Sequence, residues 1–171
     1  MSKRNNCLFT RCAAAAAALF VAGAAQAVDL RDWGRKFDVA SERFAVLASF
    51  NDEAVLDKET QLVWQRKPVL VETNWGAAMQ TCRYSGTGGR FGWRLPSFTE
   101  LMSLLDSSGA LPAGNPFYVG ANDYYWSSTD LATNSDLAYI KRLPGSGNFT
   151  NTKVSLNRYL CVRGVGAVDR N

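Results

Sequence analysis

The spacing of apolar and polar positions marks a run of short strands, two helices, and a second run of strands. Arg43 to Ser49 reads as a strand rich in Phe44, Val46 and Leu47, Ala54 to Leu56 as a second, and Leu62 to Gln65 as a third. Asn51-Asp52 and Asp57-Lys58-Glu59-Thr60 supply turn chemistry between them. From Thr73 to Tyr84 the period changes: Trp75, Ala78, Met79 and Cys82 recur at helical spacing, with Thr73 placed to cap the helix. Gly86-Thr87-Gly88-Gly89-Arg90 reads as a flexible loop; it follows a helix, unlike a phosphate-cradling glycine motif. Phe98, Leu101, Met102 and Leu105 predict a second helix to about Asp106, with Gly109 after its end.

That second helix has the clearest start in the chain. Trp93-Arg94-Leu95-Pro96 leads into Ser97, a natural N-cap, and Glu100 stands three residues on, completing an S-x-x-E capping box. Pro96 restricts Leu95 to extended backbone, so the chain turns sharply from loop to helix. Tyr124 to Thr129 and Leu137 to Leu143 read as strands, Pro144 to Asn148 as a hairpin-like loop, and Val154 to Val162 as the last strand, carrying Cys161. The order predicts an α+β fold, two helices packed on a mainly antiparallel sheet with long loops.

Composition changes the picture mostly at the N-terminus. Lys3, Arg4 and Arg11 flank an apolar run from Ala13 to Ala25, and Ala25-Gln26-Ala27 has the form of a cleavage site. Residues 1–27 are expected to be a signal peptide, since the run falls short of the roughly 20 residues a membrane span needs. A mixed lead-in over 28–41, a domain over 42–165 and a tail over 166–171 follow. Beyond the signal there are 16 basic and 15 acidic residues, a net charge of +1, which gives no reason to expect nucleic-acid binding. The expected location is the periplasm or the cell surface, with no stable membrane span.

Two cysteines survive processing, Cys82 and Cys161. Their even number in an exported chain argues for one disulfide; a pair of free thiols is the alternative. The chain has no His, which excludes Ser-His and Cys-His hydrolase chemistry and most zinc sites. No cofactor or metal is expected. An enzyme would have to rely on carboxylates such as Asp106 or Asp123 meeting in a cleft.

Four segments in order resemble the Lcl C-terminal domain family of bacterial exported proteins. They are Val55 through Trp64-Gln65-Arg66; Trp75-Gly76 through Thr81-Cys82; Gly92-Trp93-Arg94-Leu95-Pro96-Ser97 with Glu100-Leu101; and Tyr125-Trp126-Ser127-Ser128 with Cys161-Val162-Arg163-Gly164. The resemblance covers about Arg43 to Gly164. It implies a C-type lectin-like fold in which one disulfide ties the first helix to the last strand. It also implies a ligand-displaying scaffold, because the family's namesake is an adhesin that binds sulfated glycosaminoglycans and other members are variable proteins of diversity-generating retroelements. Gln61 stands where the family usually has Gly. The E-P-N, Q-P-D and W-N-D triplets of calcium-dependent lectins are missing, and Asn122-Asp123 lacks such partners, so calcium-mediated sugar binding is not expected.

Each candidate site residue has a plain structural role to set against a functional one. Arg94 and Glu100 are expected to serve the helix start, and Trp64, Trp75, Trp93 and Trp126 the core. The functional hint is charge: from Leu137 to Val168 there is no acid, but there are Lys141, Arg142, Lys153, Arg158 and Arg163, with Arg90 added from the glycine loop. Such a group attracts anionic ligands. The expected function is therefore a non-enzymatic recognition module for an anionic glycan or a protein. The rival is a structural subunit of an envelope assembly, self-associating through Phe117-Tyr118 and Tyr124-Tyr125.

Overall fold

The structure is a computed structural model that describes residues 37, 39–120 and 123–166. The expected signal peptide, most of the lead-in and nearly all of the tail lie outside these residues. A short helix α1 (Ala40–Arg43) leads into β1 (Phe44–Val46), β2 (Ala54–Asp57), β3 (Leu62–Gln65) and β4 (Val69–Thr73). Helices α2 (Trp75–Arg83) and α3 (Phe98–Ser103) follow, then β5 (Asp123–Leu131), β6 (Asn134–Leu143), β7 (Asn148–Thr152), β8 (Asn157–Tyr159) and β9 (Val162–Gly164). The fold is α+β and mostly sheet, with few helices. One sheet has the order β1-β2-β3-β9 and the other β4-β8-β5-β6-β7. All pairings are antiparallel except β5 with β8.

Side-chain alternation along these strands feeds two separate cores. Ala54 and Val63 join Trp126, Ile140 and the α2 residues Ala78 and Cys82 in one core, with Phe50 and Trp93. Val55, Trp64 and Val162 join Tyr125, Leu143 and the α3 residue Leu101 in the other. The central strands β2, β3, β5 and β6 therefore feed cores on both faces, and α2 and α3 serve different cores. Between β8 and β9 the chain passes through Leu160 and Cys161 from the five-stranded sheet to the four-stranded one. Arg94 and Val162 exchange two backbone hydrogen bonds of 2.8 and 2.9 Å, so the Trp-Arg-Leu-Pro corner is docked to this same passage.

Several sequence expectations shift. Asn74, not Thr73, caps α2: its Oδ1 accepts the Ala77 N–H at 2.9 Å. Thr73 instead closes β4, a strand no local pattern announced. The expected strand from Arg43 is shorter, because Arg43 ends α1 and Ala48–Phe50 form a 3-10 turn. The second helix stops at Ser103, short of Asp106. The expected last strand, Val154 to Val162, is split into β8 and β9, and Cys161 lies in the passage between them. Asn148 to Thr152 is a strand (β7), formed by pairing with Leu137 to Lys141. Gln61 takes the left-handed conformation (φ 59°), the one Gly adopts freely, and its side chain donates to the Lys58 carbonyl at 2.8 Å.

Two joints hold these parts together. Arg43 donates to both carboxylate oxygens of Asp57, at 3.0 and 2.8 Å, and also to the Ser103 carbonyl at the end of α3. Asp57 is fully buried and accepts two further bonds, from Glu59 N–H and Thr60 Oγ1. Removing one partner of such a pair strands a buried charge, at a cost of about 3–5 kcal/mol.

The second joint is the Cys82–Cys161 disulfide, with Cα atoms 5.4 Å apart across 79 residues. Gln65 locks onto it: its backbone N–H donates to the Cys161 carbonyl and its Oε1 accepts the Cys161 N–H, both at 3.0 Å. Its Nε2 donates to Ser85 Oγ and Thr87 Oγ1 at 3.1 and 2.7 Å, tying in the glycine-rich loop. That loop packs closely: Gly88 (φ 64°) lies where a Cβ would stand 2.6 Å from the Phe50 Cβ. Closing so long a loop restricts the unfolded chain by about 4–5 kcal/mol in the chain-entropy account. The Cys82→Ser/Cys161→Ser variant is expected to lose about 2–5 kcal/mol of unfolding free energy in urea titrations. An unchanged urea midpoint would show that the bridge adds nothing.

Candidate functional site

Trp93 to Glu100 forms a complete local unit. Trp93 is buried, and its Nε1 donates to the Arg90 carbonyl at 2.9 Å. Ser97 Oγ accepts the Glu100 N–H at 3.2 Å, and Glu100 Oε2 accepts the Ser97 N–H at 2.7 Å, so the capping box is present. Arg94 reaches Glu100 with two donors, at 2.7 and 2.6 Å. Partial burial pushes the Glu100 carboxyl up, but the Arg94 guanidinium and the Ser97 N–H outweigh it and hold it below its ordinary value. The hydrogen bonds to Glu100 likewise raise Arg94 against its own desolvation. Both residues are thus engaged with each other at a helix start.

The expected basic patch is distributed in the structure. Neighbouring Lys141 and Arg142 on β6 face opposite sides of the sheet. Lys141 is 2% exposed and donates to the Gly147 carbonyl at 3.1 Å; burial pushes its ammonium pKa down. Arg142 turns back to the Pro144 carbonyl at 3.4 Å. Lys153 pairs with Asp130 at 2.8 Å and lies 4.2 Å from the Trp75 ring centre. Arg158 pairs with Asp123 at 3.0 Å. Acids distant in sequence therefore meet Lys153 and Arg158 across the fold.

Two cations share one aromatic ring. The guanidinium carbons of Arg90 and Arg163 lie 5.7 and 5.5 Å from the centre of the Phe50 ring, and Arg163 is also 6.0 Å from Trp93. The glycine loop brings Arg90 there, and β9, paired with β3 at Val63, brings Arg163. Glu53 stands at the same loop, its carboxylate accepting the Gly88 N–H at 2.7 Å. Sequence order placed Arg90 and Arg163 in one loose group with four other cations; only the strand register distinguishes them.

The aromatic residues and carboxylates also divide. Phe117 is buried edge-on to Phe44, with ring centres 5.2 Å apart, whereas Tyr118 is half exposed beneath Arg66 and Lys67. Tyr124 packs on Phe149, and Tyr125 is fully buried, its phenol pushed up to about 12 by desolvation and by Asp123. Of the four expected interface aromatics, Tyr118 alone is strongly exposed. Asp106 accepts hydrogen bonds from Ser108 and Ala110 in its own turn, and Asp123 pairs with Arg158. Among the described residues no group of three or more His, Cys, Asp or Glu could hold a metal ion, and no helix is long and apolar enough to cross a membrane. The role of Gln65 was not legible beforehand; a carboxamide at a strand end carries no local signature of its partners.

Because the folded Glu100 pKa is depressed, its stabilising contribution is complete above the unfolded value near 4.5 and disappears as pH falls through the folded value. Thermal unfolding of wild type and Glu100→Gln should therefore differ most at neutral pH and converge on acidification below about pH 4. A constant difference across that range would contradict the pairing.

No curated protein matches the chain. Its residues 53–163 match the family model of the Lcl C-terminal domain. The matched span includes β2 and β3, both cysteines, the Trp-Arg-Leu-Pro corner and the Arg90/Arg163 pair. The chain belongs to the Lcl C-terminal domain family.

Proposed function

We propose that the domain is an exported, non-enzymatic recognition module of C-type lectin-like architecture that binds an anionic glycan through Arg90 and Arg163. The architecture is supported by two helices set against antiparallel sheets, and by a disulfide from the first long helix to the passage before the last strand. The observation that carries the binding role is that two guanidinium groups share the Phe50 ring, with Arg163 also reaching Trp93. Guanidinium forks match sulfate and carboxylate groups in shape and charge, and aromatic contacts hold them at low entropic cost. The behaviour implied by the family resemblance, glycosaminoglycan binding, has the same chemistry.

Four ion pairs belong to the frame itself. Arg43–Asp57, Arg94–Glu100, Lys153–Asp130 and Arg158–Asp123 each satisfy one another. Arg90, on the glycine-rich loop, stands outside these four pairs. Glu53 lowers the local positive charge, so binding is expected to be moderate and sensitive to salt.

Retention on immobilised heparin at low salt checks this. Wild type should be retained and released by added salt, and Arg90→Ala/Arg163→Ala should elute earlier. Lys153→Ala, which removes a cation held by Asp130 and Trp75, should elute with wild type. No retention of the wild type, or equal retention of the double variant, would remove this function.

A further inference from the structure

Beside the disulfide, between the C-terminal turn of α2 and the glycine-rich loop, lies an open cavity of about 500 Å³. Its volume is within the range of small-ligand sites. Gln80 and Thr81 line it from α2 and Tyr84 from that helix's C-cap, one turn beyond Gln80; Ser85 and Thr87 line it from the loop, and Gln65 lies at its base. None of these side chains is charged at neutral pH. A charged ligand finds no counter-charge in this wall. A neutral ligand rich in hydroxyl or acetamido groups matches it.

The base is fixed before any ligand arrives. Gln65 is held by Cys161 and donates to both Ser85 Oγ and Thr87 Oγ1. Ser85 Oγ also accepts the Thr87 N–H at 3.3 Å, and the two hydroxyl oxygens are 2.8 Å apart. A hydroxyl has two lone pairs and one hydrogen. Both lone pairs of Ser85 are taken, so its hydrogen goes to Thr87. Thr87 then accepts twice, from Gln65 and Ser85, and its own hydrogen is the one left over. The base therefore offers one oriented O–H donor. At the rim Tyr84 is 75% exposed, giving a ring face for an apolar partner. Gln80 and Thr81 side chains make no hydrogen bond to another described residue, and add donors and acceptors at the opening.

We propose that this cavity binds an uncharged saccharide, with one sugar ring over Tyr84 and a ring substituent oxygen accepting the Thr87 hydroxyl hydrogen. A pyranose combines an apolar C–H face with equatorial oxygens, the two features this wall presents side by side. A peptide amide offers the polar part without the apolar face. The site shares the recognition role proposed above but uses different residues and a different ligand charge, so each stands or falls by its own probe.

The test is a titration of the isotope-labelled, disulfide-intact protein with N-acetylglucosamine, galactose and glucose, followed by NMR. Glucuronate and N-methylacetamide serve as the charged and peptide-like controls. At least one neutral sugar should saturably shift the side-chain amides of Gln65 and Gln80 and the backbone of Tyr84 and Thr87, with millimolar affinity. Tyr84→Ala and Thr87→Val should each weaken binding by about tenfold, equivalent to about 1.4 kcal/mol. Thr87→Ser, which keeps the donor, should bind like wild type, and circular dichroism should show each variant folded. No saturable shift from any of the three sugars at about 100 mM, a hundredfold above a millimolar Kd, would overturn the proposal. So would tighter binding of glucuronate, equal shifts from N-methylacetamide, or shifts that map elsewhere. Heparin retention is read separately, so a failure at either site is distinguishable from a failure at the other.

Discussion

The glycine-rich loop and the cavity beside it are positioned by one joint, the Cys82–Cys161 bridge with the Gln65 carboxamide set against it. The bridge ties α2 to the passage where the chain changes sheets. Gln65 extends that tie to β3 on one side and to Ser85 and Thr87 on the other. A covalent bond alone would fix two points. The carboxamide converts it into a junction of a helix, a strand, the sheet crossing and the glycine-rich loop. Phe50 then packs against Gly88 so closely that only a residue without Cβ fits, which holds the loop down. Arg90 and the cavity wall inherit their places from this junction.

The remaining polar chemistry repeats the same logic at a smaller scale. Asp57 gathers Arg43, Glu59 and Thr60, and through Arg43 reaches the end of α3. Glu100 gathers Arg94 and Ser97 at the start of that helix. Arg94, in the Trp-Arg-Leu-Pro corner, is itself bridged to Val162, one residue past Cys161. Buried or half-buried charges in this protein are thus organisers of the frame. That is why a count of cations along the sequence overstates the charge available to a ligand.

Local signals were legible and long-range ones were not. Ser97 and Glu100 could be read as a capping box because both partners lie within one turn. The aromatic run at Tyr124 to Trp126 announced β5, and the parity of the two cysteines beyond the expected signal peptide pointed to the bridge. By contrast, Asn148 to Thr152 is polar and turn-like by composition, and becomes β7 only because Leu137 to Lys141 offers an edge. Val154 to Val162 looks continuous in sequence, yet Asn157–Tyr159 and Val162 pair in different sheets. Lys141 and Arg142 adjoin in the chain but separate across the sheet, and Lys153 and Arg158 find acids far away in sequence. Gln65 was invisible because its importance rests on a partner 96 residues distant.

The most direct test of the central joint is native-state hydrogen exchange on the disulfide-intact and the reduced protein. In the intact form the amides of Gln65, Cys161 and the buried side of α2 should exchange only with global unfolding. Reduction should lower protection most at those amides and through the glycine-rich loop, and less across the β5–β6 hairpin, whose pairing does not pass through the bridge. If α2 and Cys161 keep their protection while the hairpin loses its own, the joint described here is not what organises the domain.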